Sequence, residues 1–310
     1  MGEIIYSKGG FDRGIFENAS CAMGVFDGAH LGHQFLINTC ISQAKNQGGK
    51  SIIITFDRDP DEIFHQQSFK KIYSNEKRID LLLDFAPDCV LVLEFNSDFS
   101  ALSPADFFEF VFEGTAPRDL HVGSNFNFGY KGQGGFEDLE LWSRQGGTKI
   151  HLHDLVEKDG NSISATRIRT LLAKGSCEEA KCLLGRPYSV CGTVKHGRGE
   201  GEKFGFKTAN LQLAKNMQVL AEGVYAATAL VEGEVYPCAV NVGVAKSFTD
   251  ATDANLEAHL LDFEQDIYNQ EIEIFFLKYL RPQRNFLEES DLVAAIANDI
   301  VEVRAAVAKI

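Results

Sequence analysis

Two apolar runs, SIIITF at positions 51–56 and CVLVLEF at 89–95, constrain the fold more than any other feature of the chain. Both are continuous, not alternating, so each strand they form must be covered on both faces, the signature of a parallel sheet flanked by helices. Helical stretches separate them from each other and from the run CAMGVF that begins at Cys21. Strand, helix, strand, helix, strand in that order predicts right-handed crossovers. A further helix, SPADFFEFVF, has Ser103 as its cap and Pro104 in its first turn, and DLHVG supplies another buried strand.

From Ser189 the pattern changes. SVCGTV, GVYAATALV, EVYPCAV, NLEAHLLDF and EIEIFFLKYL alternate between Gly, Asn and Asp turns, which predicts an antiparallel barrel or sandwich. Glu232 and Gly233 form a hairpin signal, and Leu292, Ile296, Ile300 and Val303 mark a closing helix. The expectation is an α/β domain over 1–185 and a β domain with a C-terminal helix over 186–310, consistent with a length of 310 residues.

Composition narrows the function. A net charge of −14 repels polyanions, so neither a nucleic acid nor an anionic membrane is an expected partner. A phosphorylated small molecule needs local donors instead: backbone amides, a few cationic side chains and a divalent cation. No run approaches the ~18 apolar residues of a membrane span, no secretory leader is evident, and the cytoplasm is the expected compartment. The seven cysteines are odd in number and lack two-residue spacing, so they read as buried thiols, not disulfides or a zinc knuckle.

The segment Gly24 to His33, GVFDGAHLGH, follows a strand and enters a helix, where backbone N–H groups and the positive helix end favour phosphate. Gly24, Gly28 and Gly32 permit close approach, Asp27 lies within the turn, and His30 and His33, three apart, share one helix face. Adenylyl transfer needs this kind of site, because the enzyme contributes positioning and charge stabilisation to attack on the α-phosphorus of ATP. Paired histidines that merely cap or pack are the alternative. Further on, ISATRIRTLLAKG offers Ser164 and Thr166 at a helix start, Arg167 and Arg169 in its first turns and Gly175 as its stop, a second phosphate grip or simply a well-capped helix.

In the second half, Gly197, Gly199, Gly201 and Gly205 form a loop able to fold over phosphates, or a plain linker, before a strand carrying Thr208 and Asn210. Two apart on a strand, those two residues present oxygens to one side and could complete the shell of Mg2+. Alternation in NLEAHLLDF puts Glu257 and His259 on one face, a solvated surface if nothing else meets it.

Taken with SIIITF, VGSNFNFG, LLGRPY and the barrel motifs, Gly24 to His33 and Ile163 to Arg169 resemble the H-x-G-H nucleotidylyltransferases. From Cys21 to the C-terminus the chain is similar to the prokaryotic bifunctional riboflavin kinase/FMN adenylyltransferase family. The resemblance implies a Rossmann-like nucleotidylyltransferase domain, a riboflavin-kinase barrel, and ATP, riboflavin and FMN as substrates. It implies that His30 and His33 are catalytic and that Gly24, Phe26, Asp27, Gly28, Ser164, Thr166 and Arg169 bind ATP. Gly197, Gly201 and Gly205 would bind the second ATP, and Asn125, Phe126 and Phe128 would lie at the flavin unless they are a turn with core aromatics. Thr208 and Asn210 would hold the metal, and Glu257 would be the base of the kinase.

The chain departs from the family pattern in several places. Asp57-Arg58-Asp59-Pro60 stands for Glu-Pro-His-Pro, Ala165 for serine, Glu202 for arginine, Lys207 for the proline before Thr208, and Ala245-Lys246-Ser247 for Arg-Pro-Thr. Three departures fall in the barrel, so an adenylyltransferase with a degenerate flavin-binding barrel is one alternative. A non-catalytic flavin-binding regulator is another, and an adenylyltransferase for a different phosphorylated acceptor a third.

Overall fold

The computed structural model describes residues 2–8, 10–64, 68–196, 206, 208–214, 216–244 and 254–309. The chain divides into two compact units, Met1–Phe69 with Asn75–Ser164, and Lys70–Ser74 with Ala165–Ile310.

The first unit is a six-stranded parallel sheet. Its strands are β1 (Glu3–Tyr6), β2 (Ser20–Met23), β3 (Ser51–Phe56), β4 (Cys89–Leu93), β5 (Asp119–Gly123) and β6 (Lys149–His153), in the order β1-β4-β3-β2-β5-β6. Its helices are α1 (Leu31–Gln47), α2 (Pro60–Phe64), α3 (Asn75–Leu83), α4 (Ser97–Ser100), α5 (Pro104–Phe112) and α6 (Phe136–Gly146), and a short hairpin, β7 (Glu157–Lys158) and β8 (Asn161–Ser162), follows. The apolar runs explain the layering residue by residue. Cys21, Met23, Ile52, Ile54, Leu91 and Leu93 face a cluster with Phe107, Phe108, Val111 and Phe112 of α5. The intervening Ala22, Ile53, Val90 and Val92 face Leu36, Ile37 and Cys40 of α1 and Ile79 and Leu82 of α3. Ser103 caps α5 as expected, its hydroxyl accepting from the Asp106 amide at 3.2 Å. Two edge strands, β1 and β6, extend the sheet beyond the four read from sequence.

The second unit opens with α7 (Ala165–Ala173) and α8 (Cys177–Leu184). Six strands follow: β9 (Tyr188–Lys195), β10 (Ala209–Leu213), β11 (Gly223–Val231), β12 (Glu234–Val244), β13 (Ala254–Leu260) and β14 (Glu271–Arg281). They close into an antiparallel barrel in the order β10-β13-β12-β11-β14-β9, so barrel and not sandwich is the outcome. Glu232 (φ 50°) and Gly233 (φ 88°) make the β11–β12 turn with both central residues left-handed, the conformation that matches strand twist. The final helix, α9 (Glu289–Val307), buries Val303 against Ala226 and Leu261. Arg281 at the end of β14 grips Asp299 of α9 with two bonds, of 2.9 and 2.7 Å. Cys21, Cys40, Cys89, Cys177 and Cys238 are buried thiols as expected, whereas Cys182 is exposed.

Candidate functional site

The strand order reverses beside β2: the chain runs from β2 outward through β3 to β4, then returns to place β5 on the other side of β2. In open α/β sheets, ligands bind outside the carboxyl ends of the strands at such a switch point. The turn Gly24 to His30 leaves the end of β2, and the loop Ser124 to Phe128 leaves the end of β5. Two segments singled out from sequence thus start from adjacent strand ends.

Gly24 donates its amide to Ile54 at 3.1 Å, extending the sheet by one residue before the chain turns. Phe26 (φ 58°) and Gly28 (φ 77°) then take left-handed conformations, and a Cβ on Gly24 would come within 3.1 Å of the Phe26 ring. His30 is the N-cap of α1 and its Nδ1 accepts the His33 amide over a long 3.4 Å contact. One ring nitrogen of His30 is thus turned back onto the first turn of the helix it caps. The rings of His30 and His33 stack with centroids 3.6 Å apart, and Phe26 meets His33 edge-on at 5.4 Å. Spacing three apart therefore does bring the two imidazoles together. His30 and Asp27 are buried.

On the neighbouring loop, Asn125 is exposed and Phe126 half-buried. Phe128 is buried in the core cluster, 4.7 Å from Phe108 and 5.2 Å from Phe107 between ring centroids. Asp57-Arg58-Asp59-Pro60 forms a self-capped entry to α2: Asp59 accepts the Asp61 amide at 2.9 Å, and Glu62 accepts the Asp59 amide at 3.1 Å. Ser164 is the last residue of the first unit, while Thr166 and Arg169 lie in α7 of the second.

In the barrel, Leu256, Ala258 and Leu260 point to the buried interior and Glu257 to the outer face, as the alternation predicts. Asn210 of β10 and Asn241 of β12 are its register partners on either side, so three polar side chains share one face across three strands. Thr208 precedes Asn210 by two residues just before β10. Asn241 was not singled out from sequence, although an amide inside the apolar run AVNVGV is the signal that marks it. Gln283, two residues beyond β14, donates to the Asn241 side chain at 2.8 Å and to the Val242 carbonyl at 2.9 Å. Beside it lies a cavity of about 580 Å³ whose lining includes Arg281, Arg284, Phe286, Leu287, Asp291 and Asn298. The Arg284 guanidinium lies 4.7 Å from the Phe286 ring centre. Gly197, Gly201, Gly205, Glu202, Lys207 and Ala245-Lys246-Ser247 lie outside the described residues. Among the described residues no group of three or more His, Cys, Asp or Glu could hold a metal ion, and no helix is long and apolar enough to cross a membrane.

A switch point beside β2 in one unit and a polar strand face in the other belong to a protein that joins an α/β domain to an antiparallel barrel. Comparisons with known proteins give its family. Residues 13–167 match the FAD synthetase model and residues 184–307 the riboflavin kinase model. Bifunctional riboflavin kinase/FMN adenylyltransferases are similar along nearly their whole length. The protein of Listeria monocytogenes is 31% identical, covering 94% of each chain, and that of Bacillus subtilis 34% identical, covering 90% of this chain and 89% of the relative. A solved structure from Streptococcus pneumoniae, described as a macrolide-efflux protein, superposes with a TM-score of 0.84 at 28% identity, covering 93% of this chain and 94% of that one. The chain belongs to the bifunctional riboflavin kinase/FMN adenylyltransferase family.

Proposed function

We propose that the chain makes FAD from riboflavin in two ATP-consuming steps, phosphorylating riboflavin at the barrel and adenylylating the resulting FMN at the parallel sheet. Membership of the family, with one model matching in each half, supports both activities. The observation that carries the residue assignment is the stacked His30–His33 pair at the mouth of α1, beside the switch point.

In adenylyl transfer a phosphate oxygen of FMN bonds to the α-phosphorus of ATP, the bond from that phosphorus to the bridging oxygen breaks, and pyrophosphate leaves. The rings of His30 and His33 and the amides of the first turn of α1 hold the negative charge that accumulates on the phosphates. Gly24, Phe26, Asp27 and Gly28 shape the turn against ATP and Asn125 with Phe126 borders the flavin, while Ser164, Thr166 and Arg169 are assigned to the ATP phosphates on family membership alone. Phe128 supports that loop from the core.

In the kinase step Glu257 takes the proton of the ribityl hydroxyl as its oxygen bonds to the γ-phosphorus and ADP departs. Asn210 beside it, with Thr208, is an oxygen-donor set suited to Mg2+, a hard cation that keeps phosphate and water ligands. When bound, Mg2+ neutralises phosphate charge. Gly197, Gly201 and Gly205, outside the described residues, are assigned to the second ATP on family membership. The flavin ring enters the cavity beside Phe286, and Gln283 links the segment that lines it to Asn241. The functional division of the chain falls near residue 185. Five buried thiols suit a reducing compartment, the cytoplasm.

Incubation of the purified protein with riboflavin, ATP and magnesium, followed by chromatography over time, tests the reading. FMN appears first and FAD after it. FAD from added FMN but nothing from riboflavin would leave the adenylyltransferase alone standing, and flavin binding without ATP consumption would leave neither.

A further inference from the structure

We propose that Arg78 is a positioning residue for adenylyl transfer, holding the Val25 carbonyl inward so that the Val25–Phe26 peptide keeps its N–H turned outward for a phosphate. The proposal rests on reading the β2 turn as the ATP site.

Arg78 sits on α3, behind the sheet, and is almost completely buried. All three of its hydrogen bonds run to the ends of the strands that frame the turn. Nη1 donates to the Val25 carbonyl at 2.7 Å and to Thr55 Oγ1 at 2.6 Å, and Nη2 donates to the Phe56 carbonyl at 2.5 Å. The Thr55 hydroxyl donates to the same Val25 carbonyl at 3.2 Å. One carbonyl thus takes two side-chain donors, and guanidinium, hydroxyl and carbonyl close a triangle beneath the turn. No described peptide bond is cis, and in a trans peptide the N–H points opposite to the C=O. Fixing the carbonyl of Val25 toward Arg78 therefore fixes the N–H of Phe26 away from it.

The next residue makes this restraint necessary. Phe26 holds φ 58°, a left-handed conformation that a bulky side chain rarely adopts. The turn does not rest in that shape by local preference, so surrounding bonds must impose it. Lysine could not substitute fully: one ammonium cannot span Val25, Thr55 and Phe56 with a planar fork. Burial weakens the protonated guanidinium, and Asp27, Asp59, Glu62 and Asp57 surround it and oppose that effect. Three of these acids, Asp57, Asp59 and Glu62, belong to the self-capped α2 entry, so that segment supports the turn through Arg78.

Arg78→Lys and Thr55→Val chains, assayed for FAD formation from FMN at varied ATP and separately for FMN formation from riboflavin, test the role. Arg78→Lys is expected to lower kcat/KM for ATP about 100-fold in adenylyl transfer, with KM for ATP raised as well as kcat lowered, because the amide is misplaced. Thr55→Val, which removes one donor and keeps the shape, is expected to shift both in the same direction by about tenfold, and it carries the test should the lysine chain not fold. Kinase activity stays at the wild-type level in both. A purely structural role predicts a lower kcat at unchanged KM, in proportion to the folded fraction read by thermal melting. That result, or wild-type kinetics in both variants, overturns the proposal. A wild-type chain that makes no FAD removes the site reading first, and the proposal with it.

Discussion

The two candidate sites are built from different materials. The sheet site uses backbone: a strand end, a left-handed turn and a helix mouth, with two histidines stacked across its opening. The barrel site uses side chains, with Asn210, Glu257 and Asn241 placed abreast by register on three strands. On the proposed reading, phosphate charge in the first is met by amides and imidazoles whose positions follow from the fold. In the second, the proposed reading asks a single carboxylate, Glu257, both to receive a proton and to stay near the pair assigned to the metal. A backbone site tolerates substitution around it as long as the turn holds. A side-chain site depends on each member.

The largest expected effect breaks the comparison on the sheet side. His30→Ala with His33→Ala is expected to cost on the order of 10³-fold in FAD formation, by loss of two charge-stabilising donors, while FMN formation from riboflavin is unchanged. On the barrel side, Glu257→Gln is expected to lower kinase turnover by roughly 10²-fold or more and to leave adenylyl transfer of supplied FMN intact. Steady-state assays of each half reaction check both.

Smaller effects concern stability. His121 of β5 is buried, and its Nδ1 lies 2.9 Å from Nε2 of His153. Burial first, then the neighbouring His151 and His153, push its pKa from 6.5 down to about 3. Between those values the unfolded chain binds a proton that the native chain refuses, so stability is full above about pH 6.5 and falls with acidification. Urea titrations are expected to give a loss of about 2 kcal/mol between pH 7 and pH 5, and His121→Asn to flatten that slope. The smallest effect is Ser103→Ala, expected to cost about 1 kcal/mol by removing the cap of α5. Its measurement by thermal melting, with unchanged kinase kinetics, sharpens the separation between the units.

Much of this was legible in the residues themselves. Strands β2 to β5 announce themselves because burial on both faces demands unbroken apolar runs. β1 and β6 lie at the sheet edges, where burial is partial, so EIIY and KIHLH carry weak signals. Barrel closure depends on β9 meeting β14, a pairing far apart in sequence that no local pattern encodes. His30 and His33 could be paired by spacing alone, and Glu257 assigned to the outer face by alternation. Its partner Asn241 required knowledge of register. Arg78 stayed hidden because a charged residue in the amphipathic stretch NEKRIDLLL reads as solvent-facing, and only the structure reveals its acceptors. Phe128, assigned to the flavin by resemblance, also lies in the core cluster, the other reading that the sequence left open.

The central claim is that the two reactions use separate machinery, His30 and His33 for adenylyl transfer and Glu257 for the kinase. Mixing the two inactivated chains tests it most directly. With riboflavin, ATP and magnesium, the His30→Ala, His33→Ala chain alone should accumulate FMN, and the Glu257→Gln chain alone should leave riboflavin unchanged. The mixture should produce FAD. A mixture that makes FMN but no FAD, or a Glu257→Gln chain that cannot adenylylate supplied FMN, would contradict the account.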